Sequence, residues 1–152
     1  MIARTQDPLS RRLVDSLYME AMLLADEARS YFDINGRADR DALSPIDRVG
    51  FSCESLRVTT RLMHIIAWLL TRRAVAAGEI SEAQGGAPER RLGQSQESDP
   101  EMATGLPETA RQLIAATGDL HARVLRLDER LGMPETVESP ARSLMRRLEG
   151  AF

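Results

Sequence analysis

A helical repeat without a break occupies the middle of the chain. From Val49 onward, apolar and small residues recur at alternating steps of four and three: Val49, Cys53, Leu56, Thr60, Met63, Ala67, Leu70, Ala74 and Ala77. A seam of this kind, kept over four heptads, belongs to helices that pack along their length. Ser44 is placed to cap the helix, Pro45 suits its first position, and Asp47 sets a carboxylate near the positive end of the dipole. Gly78 stops it. Helical from Pro45 to Ala77, the segment is about 48 Å long and forms the spine of the domain.

Two further helices flank it. The first runs from about Ser10 to Ile34, with Leu13, Leu17, Ala21, Leu24, Ala28 and Tyr31 on one face and Asn35-Gly36 at its end. Arg37 to Leu43 reads as a polar loop. The other opens at Pro107, carries Leu113, Thr117, Leu120, Val124, Leu127 and Leu131, and stops at Gly132-Met133-Pro134. Between the second and third helices, residues 79–105 are rich in Gly, Pro and Ser. There six acids (Glu79, Glu82, Glu89, Glu97, Asp99, Glu101) outnumber Arg90 and Arg91. Such a segment buries little apolar surface to offset its ordering entropy, so a mobile linker is expected over about 81–105, with a helical turn after Asp99. A short tail helix after Ser139-Pro140 would carry Leu144, Met145 and Leu148 on one side. The expected architecture is all-α: an antiparallel three-helix bundle over 8–132 with a long central helix, followed by a tail over 133–152.

Composition agrees, with 4% aromatic residues and 43% apolar residues in a chain dominated by helix formers. One cysteine excludes an intrachain disulfide. No apolar leader stretch opens the sequence, and the longest apolar run, Leu62 to Leu70, is interrupted by His64. It is far short of the roughly 20 residues a membrane span needs. All 20 basic residues are arginine, and the formal charge is −3. Scattered arginines on a net acidic chain argue against nucleic-acid binding, although the central helix alone carries five arginines against Asp47 and Glu54. That leaves a DNA-associated regulator as the rival reading.

No phosphate loop, nucleophile elbow, paired-cysteine motif or zinc-helix signature is present, so no catalytic residue, metal site or cofactor is expected. Cys53 sits on the seam, where a thiol serves as a small hydrophobe. His64 and His121 each follow a seam residue on different helices. Two histidines alone make a weak metal site, although they leave a metal or cofactor carrier as a second rival.

The informative feature is a second stripe on the central helix. Phe51, Val58, Leu62, Ile65 and Leu69, with Trp68 beside them, lie opposite the seam, where a bundle helix should be polar. Left in water they would form a patch larger than monomers tolerate. Either the flanking helices or the tail wrap far enough to cover both faces, or a second copy packs against the stripe. The second arrangement is the expectation, making Phe51, Val58, Leu62, Ile65, Trp68 and Leu69 a homodimer interface. Arg57, Arg61, Arg72 and Arg73 on the same helix, and Leu144, Met145 and Leu148 in the tail, are then the candidate docking residues for other partners.

Two stretches, LYMEAMLLADEARSYFD at 17–33 and ESLRVTTRLMHIIAWLLTRRAVAAGEI at 54–80, resemble the RcdA family of alphaproteobacteria, named for regulation of CtrA degradation. The likeness covers roughly residues 8–80 and continues more weakly to HARVLRLDERLG at 121–132. It implies a homodimeric three-helix bundle acting as a cytoplasmic, non-enzymatic adaptor. Such an adaptor helps deliver the cell-cycle regulator CtrA, or related cargo, to the ATP-dependent protease ClpXP, alongside a response-regulator adaptor and a cyclic-di-GMP-binding partner. It carries over no catalytic residue and no cofactor. A structural homodimer without an adaptor role is the remaining alternative.

Overall fold

The structure is a computed structural model that describes residues 7–132 and 140–151. Helix α1 (Pro8–Ser30) continues through a wider π-helical turn, Tyr31–Asn35. A short helix α2 (Arg37–Asp41) stands where the polar composition predicts a loop. The long helix α3 (Pro45–Ala76) is followed by α4 (Glu82–Gly85), a 3₁₀ turn (Pro88–Arg90), α5 (Pro100–Thr104), α6 (Glu108–Leu131) and α7 (Pro140–Gly150). The predicted spine is present with its predicted punctuation. The Ser44 hydroxyl accepts from the Asp47 amide at 3.2 Å, and Pro45 takes the first turn. Gly78 follows the helix at φ +76°, a left-handed conformation suited to glycine.

Helices α1, α3 and α6 pack on one another as a bundle. Arg11 near the start of α1 donates to the Ala76 carbonyl at the end of α3 (2.9 Å), so these two run antiparallel. Arg123 of α6 pairs with Glu20 of α1, while Arg61 reaches Thr117 and Trp68 reaches Asp128. Helix α6 therefore runs antiparallel to α1 and parallel to α3. A parallel neighbour cannot follow through a tight turn, so the chain must travel back along the length of α3 before α6 begins.

Residues 77–107 make that return. Their composition predicts a mobile linker, but the structure lays them as a strap over the line where α3 meets α6, with Leu92 and Leu106 buried in the core. The strap passes α3 in reverse order: Glu82 pairs with Arg72, Gln96 meets Arg61, Ser98 meets Glu54, and Met102 lies over Gly50. A Cβ at Gly50 would stand 2.7 Å from the Met102 side chain, so that side chain packs directly on the helix at the glycine. The turn expected after Asp99 is α5, capped by the Asp99 carboxylate on the Glu101 amide at 3.0 Å.

The core itself corrects the assignment of faces on α3. Phe51, Val58, Leu62, Ile65, Trp68 and Leu69, the residues expected at a dimer interface, are all buried within one subunit, packed with Leu17, Ala21, Leu113, Leu120 and Val124. Phe51 also stacks edge-to-face on Phe32 at 5.2 Å. The seam expected to be core is instead the outer face: Val49, Leu56, Met63 and Leu70 are exposed. The buried line has heptad spacing of its own, Phe51, Glu54, Val58, Arg61, Ile65, Trp68, Arg72 and Val75. Three charged residues interrupt that line, so counting apolar positions selects the wrong face.

This assignment predicts opposite behaviour for two near neighbours. Ile65→Ala (0% exposed) is expected to lower unfolding free energy by about 2–5 kcal/mol. Met63→Ala (64% exposed), measured on protein dilute enough to be monomeric, should change it by no more than about 0.5 kcal/mol. Urea unfolding of the two variants checks this, and equal losses would contradict it.

Candidate functional site

The arginines expected to greet partners are mostly occupied. Arg61 and Arg72 are buried, which corrects their assignment as surface docking groups. Arg57 is half-buried and donates to Glu54 Oε1 at 2.5 Å. Arg73 is exposed, pairs with Asp15 at 3.3 Å and lies 4.6 Å over the Tyr18 ring. Arg57, Arg61 and Arg72 serve the subunit's own structure, and Arg73 stays at the surface.

What they build, with residues the sequence did not single out, is a ladder of polar contacts between α3, the strap and α6. Glu54, wholly buried, accepts from Arg57 on one oxygen and from the Ser98 hydroxyl on the other (2.5 Å). Arg61 donates through Nη1 to Thr117 Oγ1 (2.9 Å) and through Nη2 to the Gln96 carbonyl (3.0 Å). Asp128 gathers three partners: the Trp68 indole N–H at 2.9 Å, Arg91 Nε at 2.9 Å, and the Leu92 amide at 3.2 Å. Arg72 Nη2 reaches Glu82 at 2.8 Å. Buried charges persist only when paired and hydrogen-bonded, and here the strap supplies much of that pairing. The signal that could have found this ladder was the position of Phe51 and Trp68. The two largest rings of α3 are the residues least suited to water, and they share a line with Glu54, Arg61 and Arg72.

His121 is buried on α6 and donates from Nε2 to the Gly93 carbonyl at 3.0 Å. Burial lowers its pKa, opposed by that carbonyl and assisted by the nearby charge of Arg61 and by His64. His64 thus lies near His121, as the spacing allowed, but among the described residues no group of three His, Cys, Asp or Glu could hold a metal ion. Cys53 is half-buried beside the outer face.

The outer surface has a different character. Val49, Leu56, Met63 and Leu70 repeat every seven residues along α3, a line about 32 Å long. On α7, Leu144, Met145 and Leu148 are exposed as well. The tail expected from residue 133 begins outside the described residues, which resume at Pro140. Among the described residues, no helix is long and apolar enough to cross a membrane.

The sequence matches, over residues 5–152, a family described as "Protein of unknown function (DUF1465)". Among solved structures it is similar to the crystal structure of RcdA from Caulobacter crescentus CB15, at 35% identity and a TM-score of 0.66, over 84% of this chain and 93% of that one. The chain belongs to the RcdA family. No curated protein sequence matches it significantly. The resemblance at residues 17–33 and 54–80 thus extends over most of an RcdA-like chain. In this RcdA family member, the two stretches lie mostly in α1 and α3, helices of the bundle that carries the ladder.

The histidine in that ladder predicts a pH dependence. Because the folded state holds His121 below the ordinary value of 6.5, the unfolded chain binds the proton more readily. The stabilisation from His121 is therefore complete above that value and is lost as pH falls through it toward the folded pKa. Unfolding free energy should decline as pH falls below about 6.5, and His121→Gln should flatten that decline. An unchanged slope in the variant would contradict this placement.

Proposed function

We propose that the chain is a non-enzymatic, cytoplasmic regulator of ATP-dependent proteolysis that helps bring CtrA, or similar cargo, to ClpXP. The observation that carries this reading is membership of the RcdA family at 35% identity over 84% of the chain. The physical character of the molecule supports it. The buried arginines and carboxylates pair inside the bundle, while apolar side chains are left on the outer surfaces of α1, α3 and α7. Such surfaces suit protein partners, and an adaptor needs no more than that. Holding cargo beside a protease raises its local concentration by tethering, without chemistry of its own.

In the same reading the protein is a homodimer, but not through the buried stripe from Phe51 to Leu69. The self-contact lies on the outer line of α3, where Val49, Leu56, Met63 and Leu70 of one copy meet their equivalents across a two-fold axis. Leu144, Met145 and Leu148 of α7 remain the candidate contacts for protease or adaptor partners. Arg73, exposed at the end of α3, is the one docking arginine that keeps that candidacy.

The test is a reconstituted degradation assay with purified ClpXP and CtrA, together with the response-regulator and cyclic-di-GMP-binding partners. Adding the chain should speed loss of CtrA severalfold, and Leu56→Arg with Met63→Arg should yield a folded protein that sediments as a monomer. Unchanged degradation would overturn the adaptor role. A wild-type protein that is monomeric at high concentration would overturn the dimer.

A further inference from the structure

Under the strap, beside the ladder, is a cavity of about 310 Å³ whose chemistry the adaptor reading does not use. Arg57, Thr60, Arg61 and His64 of α3 form one wall, and Gln94, Ser95 and Gln96 of the strap form the other. Among the described residues no carboxylate lines it, in a chain where acids outnumber arginines by 23 to 20. Arg57 and Arg61 share the charge of one acid, Glu54, so the wall keeps an excess of positive charge. Arg61 is 4% exposed, and its Nε is buried without a hydrogen-bond partner among the described residues. Thr117 and the Gln96 carbonyl hold its Nη1 and Nη2, so a fixed positive charge stands at the cavity wall, where it favours an anion in the adjoining space.

We propose that this cavity binds the phosphate group of a small monoester or of inorganic phosphate. The Arg57 guanidinium, the His64 imidazole, two hydroxyls and two side-chain amides, beside the fixed charge of Arg61, offer more donors than a planar carboxylate could use. A tetrahedral group with three acceptor oxygens matches them better. The volume sits at the lower end of ligand pockets, about 300–1,000 Å³, which suits a phosphate with a modest organic substituent and excludes a large ligand. The site rests on α3 and the strap alone, so it stands or falls separately from the adaptor role.

The experiment titrates the full chain with inorganic phosphate, adenosine monophosphate, adenosine and sodium chloride at matched ionic strength. Affinity is followed by calorimetry and location by the His64 ring resonances, assigned by their loss in His64→Gln. Saturable binding of phosphate or the monophosphate, with no binding of adenosine or chloride, is expected. A tighter monophosphate identifies a monoester as ligand, and phosphate alone identifies the free ion. Arg57→Gln and His64→Gln should each weaken binding about tenfold. Arg57→Gln also removes a partner of Glu54 and so lowers stability. His64→Gln, at an exposed position, is therefore the deciding variant, with its thermal midpoint as the control. Affinity unchanged in His64→Gln, or a response to chloride equal to that to phosphate, overturns the site.

Discussion

Three charged side chains on the buried line of α3 set the terms for the rest of the molecule. Glu54, Arg61 and Arg72 face inward among Phe51, Val58, Ile65 and Trp68, where an unpaired charge would cost several kcal/mol. Their partners come from α6 (Thr117) and from the strap (Ser98, Gln96, Glu82). A two-helix contact could not satisfy them. The strap is therefore part of the core, and the parallel course of α3 and α6 is what brings it there.

The same arrangement decides which surface is left for other proteins. Once the charged line is turned inward and covered, the uninterrupted apolar seam of α3 is turned outward. A long helix with apolar residues on both sides then needs no wrapping by its neighbours. One side closes the subunit, and Val49, Leu56, Met63 and Leu70 on the other remain available for contact.

Much of the fold was legible in the sequence. Ser44, Pro45 and Gly78 punctuate α3 as their chemistry dictates, Asp99 caps the turn expected of it, and the face of α6 from Leu113 to Leu127 is buried as its spacing requires. The faces of α3 were not legible by the same rule, because a seam with three alanines and Thr60 but no charge scores better than one holding Glu54, Arg61 and Arg72. The strap misleads for a related reason. Its acidic, glycine-rich composition describes free chain, and its order comes from long-range bonds to α3 and α6 that local composition cannot register. Of the candidate docking residues, Leu144, Met145, Leu148 and Arg73 lie at the surface, whereas Arg61 and Arg72 lie inside it.

Hydrogen exchange at a single amide is the decisive observable for a strap held by buried charge. The Leu92 N–H lies in the strap and donates to the buried carboxylate of Asp128 at 3.2 Å. If buried charges hold the strap in the core, that amide should exchange at least about a hundredfold more slowly than an unstructured one. Exchange at the free-chain rate, in a protein whose α3 and α6 amides are protected, would contradict it.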